Sequence, residues 1–203
     1  FAFDGDGDRL IAVNSRGEIK NGDDLLALLA QHPLYKNQRM VIGTIMANQG
    51  LAAHLEKQNK QLLRTSVGDI HVTQALGEHG LLLGGEQSGH IIMLDYMHAA
   101  DGIFTALRIM EVIQHTGNQL LDTFTHFPQS LINVPVQYKK NLTEPALDAT
   151  IQFYKSLLKE GRLVVRYSGT ESLLRVMVEE EQSTDAHAIC SQLAQALQQQ
   201  LNN

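Results

Sequence analysis

The chain has 203 residues, 43% hydrophobic and 19% charged, with a net charge of −6, the make-up of an ordinary soluble protein of one large or two small domains. The negative balance argues against non-specific binding to nucleic acid or to anionic membranes. A single cysteine, Cys190, excludes an intrachain disulfide and a cysteine-only zinc cluster; no apolar run approaches the ~20 residues of a membrane span and no signal peptide is visible, so the expectation is a cytoplasmic protein with no membrane and no nucleic-acid partner.

The first nine residues read Phe1-Ala2-Phe3-Asp4-Gly5-Asp6-Gly7-Asp8-Arg9. Three carboxylates at alternate positions repel one another unless a cation lies between them. Oxygen-only ligands favour a hard ion, magnesium or calcium, and the intervening glycines let the backbone fold tightly enough for the carboxylates to converge. A calcium-binding EF-hand loop also starts with alternating acids, but it needs Gly at its sixth position and Glu at its twelfth. Arg9 and Ser15 stand there. Two readings remain: a magnesium site with a position open to a phosphate oxygen, with Arg9 as a second cation beside that phosphate, or, as the plainer alternative, an acidic solvated turn with no ion. Phe1–Phe3 and Leu10–Val13 flank the loop as short strands. A chain that opens on Phe, inside a strand with no sheet of its own, is expected to be the C-terminal part of a longer polypeptide.

Further along, Asn21-Gly22-Asp23 caps a helix expected from about Asp24 to Gln31, with Pro33 beyond it. Arg39–Met46 reads as a strand, Asn48-Gln49-Gly50 leads into a helix ending near Asn59, and Gln61–Thr65 reads as another strand. A helix containing Val72, Ala75 and Leu76 follows Gly68-Asp69. This alternation is the rhythm of a βαβ domain with parallel pairing. Leu81–Leu83 then runs into Gly84-Gly85-Glu86-Gln87-Ser88-Gly89-His90, and Ile91–Leu94 resumes as a strand. Glu86 can accept from vicinal sugar hydroxyls, Ser88 can donate and accept, and His90 can bond a hydroxyl or a phosphate. The plainer alternative is a glycine-rich hairpin. Asp101 is placed to cap a helix from about Ile103 to His115, and Leu120–Phe124 is expected to form a short helical turn.

Pro128 marks a break, with a domain boundary expected near Phe127–Leu131. Beyond it come a strand (Leu131–Val136), a helix (Glu144–Lys159) and two strands (Leu163–Arg166 and Leu173–Val178). A final helix capped by Ser183 or Thr184 buries Cys190. Two helices on an antiparallel sheet make a small α+β domain. The expected fold class is therefore α/β, a βαβ-type mixed-sheet domain followed by a small α+β C-terminal domain with an antiparallel sheet. Between the last two strands lies Arg166-Tyr167-Ser168-Gly169-Thr170-Glu171-Ser172, with Arg175 beyond. Two hydroxyls, an outward-facing glycine amide and two arginines make an anion cradle, the alternative being a polar hairpin with solvated arginines. A metal site with room for phosphate, a loop for sugar hydroxyls and a second phosphate cradle together describe a phosphosugar enzyme.

The three motifs Asp4-Gly-Asp-Gly-Asp8-Arg9, Gly85-Glu86-Gln87-Ser88-Gly89-His90 and Arg166-Tyr-Ser168-Gly169-Thr170-Glu171 resemble, in order and spacing, three of the four active-site loops of the α-D-phosphohexomutase superfamily. Gly43-Thr44-Ile45-Met46-Ala47-Asn48, Val67-Gly68-Asp69 and Leu173–Glu179 are similar to the branch acting on glucosamine phosphates. The resemblance implies interconversion of glucosamine 6-phosphate and glucosamine 1-phosphate through a phosphoserine and a bisphosphate. The alternatives are the branches acting on mannose or glucose phosphates, or a non-catalytic phosphosugar-binding remnant. It further implies that Asp4, Asp6 and Asp8 bind Mg2+, that Arg9 steadies the transferring phosphoryl, and that Glu86, Ser88 and His90 contact the sugar. Arg166, Ser168, Gly169 and Thr170 would hold the non-reacting phosphate, supported by Arg175. Glucosamine 1,6-bisphosphate is the implied activator and intermediate. Residues 1–15 would be the tail of the superfamily's second domain, 16–127 its third and 128–203 its fourth. The serine loop would lie in N-terminal domains of the same polypeptide, so that this fragment is expected to be inactive alone. The sequence departs from the branch's usual pattern at Ile70-His71, Ala100 and Ser172.

Overall fold

The computed structural model describes every residue except 170 and 203. The chain divides into two compact units, Phe1–His126 and Phe127–Asn203. In the first, β1 (Ala2–Phe3), β2 (Leu10–Val13) and β3 (Ile19–Lys20) form an antiparallel sheet in the order β1-β2-β3. β3 has no counterpart in the sequence reading, because two residues offer no periodicity to detect.

The larger sheet has the order β5-β4-β6-β7, from β4 (Met40–Thr44), β5 (Gln61–Thr65), β6 (Leu83–Gly85) and β7 (Ile91–Met93). β4 runs parallel to β5 and β6, while β7 returns antiparallel to β6, so the sheet is mixed. Side-chain alternation sends Val41, Leu83, Ile91 and Met93 into a core with α1 (Gly22–Leu29), α2 (Gln49–Lys57) and α4 (Gly102–Thr116). Ile42 and Ile92 point the other way, to Val72 and Leu76 of α3 (Asp69–His79). Helices on both faces explain why these strands read as nearly continuous apolar runs.

All eight residues of α1 are buried. Its two carboxylates are held by hydrogen bonds, as buried charge requires. Asp23 accepts from the Asn48 amide at 2.9 Å, and Asp24 from the Asn21 amide at 3.0 Å and from His126 Nε2 at 3.0 Å. Asn21 and Asp24 form a reciprocal capping box, which starts the helix two residues earlier than its apolar pattern suggests. Asn21→Ala is expected to destabilise the first unit by about 1–2 kcal/mol; an unchanged thermal unfolding midpoint would show that packing alone sets this helix start.

Three local expectations differ from the structure. Gly84 and Gly85 lie inside β6 rather than in the loop after it. A Cβ on Gly84 would sit 2.9 Å from Ile42 Cβ and 3.0 Å from Val72 Cγ1, so here glycine marks close packing of α3 on the sheet, not a turn. Residues 120–124 form a turn at 119–120 and then irregular chain, not a helical turn. Side chains satisfy this stretch instead: Asn14 Nδ2 donates to the Leu120 carbonyl at 2.9 Å and Asn118 Nδ2 to that of Asp122 at 2.8 Å. Finally, Ser183 is already helical, and the Gln182 carbonyl accepts the first amide, from Ala186.

The second unit pairs β8 (Gln129–Pro135), β9 (Arg162–Tyr167) and β10 (Leu173–Glu179) in the antiparallel order β8-β10-β9. Alternate residues Val134, Leu174, Val176 and Val178 face α5 (Pro145–Ser156) and α6 (Ser183–Asn202). Pro145 occupies the first turn of α5, where its missing N–H costs nothing. Cys190 is fully buried in this core, and burial pushes its thiol pKa up, so it packs as a small apolar side chain. Among the described residues no helix is long and apolar enough to cross a membrane.

Candidate active site

The acidic loop joins β1 to β2. Its Asp4, Asp6 and Asp8 each offer an oxygen, and these lie within 4.8 Å of one another. At that spacing each pair of charges repels by roughly 1 kcal/mol in water and more where solvent is thin. Arg9 offsets one charge: its amide donates to Asp4 Oδ1 at 3.2 Å and its Nε to Asp4 Oδ2 at 2.5 Å. Desolvation works against ionisation of Asp4, but these two bonds and the guanidinium charge outweigh it and hold the carboxyl below its ordinary pKa. About two negative charges remain uncompensated, the complement of one divalent cation. Among the described residues Asp8 Oδ1 is buried without a hydrogen-bond partner; Arg9 Nε lies 3.7 Å from it. A set of three clustered carboxylates with one orphaned oxygen suits Mg2+.

Glycines dock this loop onto its neighbours. Gly102, the first residue of α4, donates its amide to the Gly7 carbonyl at 2.9 Å, and a Cβ on it would lie 2.8 Å from that oxygen. Gly89, with φ +93, leaves no room for a side chain either: its Cβ would lie 2.0 Å from the Leu10 carbonyl oxygen. The Leu10 amide bonds the Gly89 carbonyl at 3.1 Å, and Arg9 and His90 form an antiparallel bridge. The hairpin turn Glu86–Gly89 is closed by Gly89 N to Glu86 O at 3.0 Å and is seated on α1 through Gly22 N to Gln87 O at 3.0 Å.

The acidic and glycine-rich loops therefore form one surface. His90 Nδ1 lies 3.2 Å from Asp8 Oδ2. Glu86 Oε1 accepts from the Gly68 amide at 2.9 Å, which ties it to the start of α3 and leaves its second oxygen available. Ser88 is exposed and borders two pockets. One, of about 190 Å³, includes Asp4, Arg9 and Phe3; the other, of about 260 Å³, includes Glu86, Thr44, Met46 and Val67. Asp4, Asp6, Asp8, Arg9, Glu86, Ser88 and His90 thus come together. His71 lies exposed on α3.

In the second unit, Arg166 on β9 and Arg175 on β10 are direct cross-strand partners, so both stand on one face of the sheet. Like charges placed opposite each other are unfavourable without an anion between them. Glu171 supplies part of one, accepting from Arg175 Nη2 at 2.9 Å, while Arg175 Nε is buried with no hydrogen-bond partner among the described residues. Ser168 closes the loop through its amide to the Leu173 carbonyl at 2.8 Å, and its Oγ accepts from the Glu171 amide at 3.3 Å. Gly169 is exposed, and among the described residues, its chain neighbours apart, nothing lies within 4 Å of where a Cβ would stand. Thr170 lies outside the described residues.

The family model described as Phosphoglucomutase/phosphomannomutase, alpha/beta/alpha domain III matches residues 21–131, and that described as Phosphoglucomutase/phosphomannomutase, C-terminal domain matches residues 131–196. The chain belongs to this phosphohexomutase family. The acidic loop precedes both matched stretches, the Glu86–His90 turn falls in the first and the Arg166–Arg175 loop in the second. Among relatives, the phosphoglucosamine mutase of Nitratidesulfovibrio vulgaris (strain DP4) is 41% identical over 98% of this chain and 46% of its own length. That of Lactobacillus helveticus (strain DPC 4571) is 44% identical over 92% of this chain and 44% of its own. This phosphohexomutase chain spans about half the length of the curated relatives it matches. A crystal structure of Aspergillus fumigatus N-acetylphosphoglucosamine mutase in complex with GlcNAc-6P and magnesium shares the fold, with a TM-score of 0.79 at 21% identity over 98% of this chain and 48% of that one.

In the sequence Gly22 reads only as part of a helix cap, and Gly102 only as the residue after the capping Asp101. That each holds a loop against its neighbour is a long-range fact, and an Asn-Gly or Asp-Gly pair before a helix carries no sign of it.

Proposed function

We propose that this chain carries the metal, sugar and distal-phosphate loops of a phosphoglucosamine mutase, which interconverts glucosamine 6-phosphate and glucosamine 1-phosphate. The observation that carries this is the Asp8–His90 contact at 3.2 Å. It joins a carboxylate set suited to a cation to a turn suited to a sugar, so a phosphoryl group on the cation side lies next to sugar hydroxyls. The amino-sugar specificity is supported by the names of the relatives that are 41% and 44% identical.

In this reading Asp4, Asp6 and Asp8 hold Mg2+, which when bound neutralises charge on the transferring phosphoryl. Arg9 is oriented by Asp4 and presents its remaining guanidinium donors to phosphoryl oxygens. The free oxygen of Glu86 accepts from sugar hydroxyls, with Ser88 and His90 beside it. Arg166, Ser168, Gly169, Thr170 and Arg175 hold the phosphate that does not react, and the orphaned Arg175 Nε is one donor awaiting it. The phosphoryl donor, whose serine oxygen is the nucleophile of the return step, is a phosphoserine in the part of the relatives that this chain does not cover. Its bond from serine oxygen to phosphorus breaks as a sugar hydroxyl oxygen bonds the phosphorus; the hydroxyl gives up its proton and the departing serine oxygen takes one up. The resulting glucosamine 1,6-bisphosphate then returns its other phosphoryl to the serine.

Two assays test this. The 203-residue chain supplied with Mg2+ and glucosamine 1,6-bisphosphate is expected to show no turnover. The whole polypeptide is expected to convert glucosamine 6-phosphate faster than mannose or glucose phosphates. Turnover by the 203 residues alone would refute the assignment of the nucleophile, and a preference for mannose or glucose phosphate would refute the substrate.

A further inference from the structure

Lys139 entered neither the motif reading nor the proposed site. It lies beyond β8 in an exposed stretch, and its Nζ donates to the Ser168 carbonyl at 2.8 Å, 29 residues away in sequence. Among the described residues that carbonyl is its one hydrogen-bond partner. A surface lysine ordinarily leaves its ammonium in water, so this contact calls for an account.

The peptide unit supplies one. The Ser168 carbonyl and the Gly169 amide belong to a single planar trans peptide, and in such a unit the C=O and N–H point in opposite directions. Whatever holds the carbonyl also aims the amide. With Lys139 on the carbonyl side, the Gly169 N–H is turned the other way, away from the lysine. Glycine has wide conformational freedom and would otherwise let this peptide rotate. The preceding amide is already fixed, Ser168 N to Leu173 O at 2.8 Å, and Ser168 is 2% exposed.

Lys139 is itself well anchored. The next residue is held at both ends: the Lys140 carbonyl accepts from the Tyr167 hydroxyl at 2.8 Å, and Lys140 Nζ donates to the Gln200 carbonyl on α6 at 2.9 Å. Just upstream, the Val136 amide bonds the Ser172 carbonyl at 3.0 Å, at the far end of the same loop. The segment carrying Lys139 and the loop it touches are thus tied together on both sides of the contact.

We propose that Lys139 is a positioning residue for phosphate binding: by holding the Ser168 carbonyl it locks the Ser168–Gly169 peptide with the Gly169 amide presented to the distal phosphate of the sugar. This rests on the phosphate-site reading above. It assigns Lys139 a role through the backbone, distinct from the direct charge contacts of Arg166 and Arg175.

The test is a titration of the isotope-labelled 203-residue chain with glucosamine 6-phosphate, following the Gly169 and Arg175 amide signals. In the wild type both signals should move. Lys139→Met should weaken affinity about tenfold, the scale of one charge-assisted hydrogen bond. Its free Gly169 signal should already differ from that of the wild type, and its melting temperature should not change. Lys139→Arg, which can still donate to the carbonyl, should restore affinity. Repeating the comparison in high salt separates positioning from long-range charge, because only a charge effect is screened away. Equal affinity in wild type and Lys139→Met, or a difference that disappears in high salt, overturns the proposal and leaves the phosphate site standing. No movement of Gly169 or Arg175 in the wild type overturns the phosphate-site reading, and this proposal with it.

Discussion

Asp8→Asn is expected to lower turnover of the whole polypeptide on the order of a thousandfold, the several kcal/mol that charge neutralisation by a divalent ion contributes to phosphoryl transfer. The substitution keeps the shape of the side chain and removes one of three charges whose oxygens lie within 4.8 Å. It also changes the oxygen that lies 3.2 Å from His90 and the one that has no hydrogen-bond partner. The same change has a thermodynamic signature in the 203-residue chain. Mg2+ at a hundredfold excess over its Kd stabilises a binding protein by about 2.7 kcal/mol, so the wild type should melt several degrees higher with Mg2+ than without. Asp8→Asn should show no such rise, while its melting temperature without metal should stay within about 2 °C of the wild type, since it loses one source of repulsion along with one contact. A wild-type melting temperature indifferent to Mg2+ would remove the metal site from the proposal.

Gly89→Ala is expected to be among the most damaging single methyl additions in the first unit. The added Cβ would stand 2.0 Å from the Leu10 carbonyl oxygen, and the backbone there has φ +93. Neither partner can yield cheaply, because both are backbone and the Leu10 amide is bonded to the Gly89 carbonyl. A cost of roughly 3 kcal/mol or more is expected, lowering the melting temperature by about 10 °C. Under the proposed function catalysis should suffer as well, because this contact seats the acidic loop against the Glu86–Gly89 turn. Gly17→Ala is the control. Gly17 also has a positive φ, +78, but nothing lies within 4 Å of its Cβ position, so only the conformational cost of about 1–2 kcal/mol applies. Equal losses in the two variants would mean that backbone strain, and not the close approach, governs Gly89.

Much of this protein is local and could be read directly. The alternation of strand and helix through the first unit, the capping residues Asn21 and Asp101, and the change of rhythm after Pro128 all follow from patterns within a few residues. The acidic loop was legible for the same reason: alternating Asp and Gly states its chemistry within five positions. Other features depend on residues far apart in the chain. Glycines 84 and 85 looked like loop and proved to be strand, because their lack of a side chain serves Ile42, Val72 and Ile91 rather than a turn. Residues 120–124 looked helical, but the carbonyls of Leu120 and Asp122 are taken by the side chains of Asn14 and Asn118. The meeting of Asp8 with His90, of Gly102 with Gly7 and of Lys139 with Ser168 each joins backbone or side chains separated by tens of residues. Most elements and the charge and polarity of each loop were legible in the residues, since propensity, capping and charge act over one turn of chain. Which loops share a surface and which glycines are obligatory were not, since close approach is a property of packed backbones and leaves no mark on neighbouring residues.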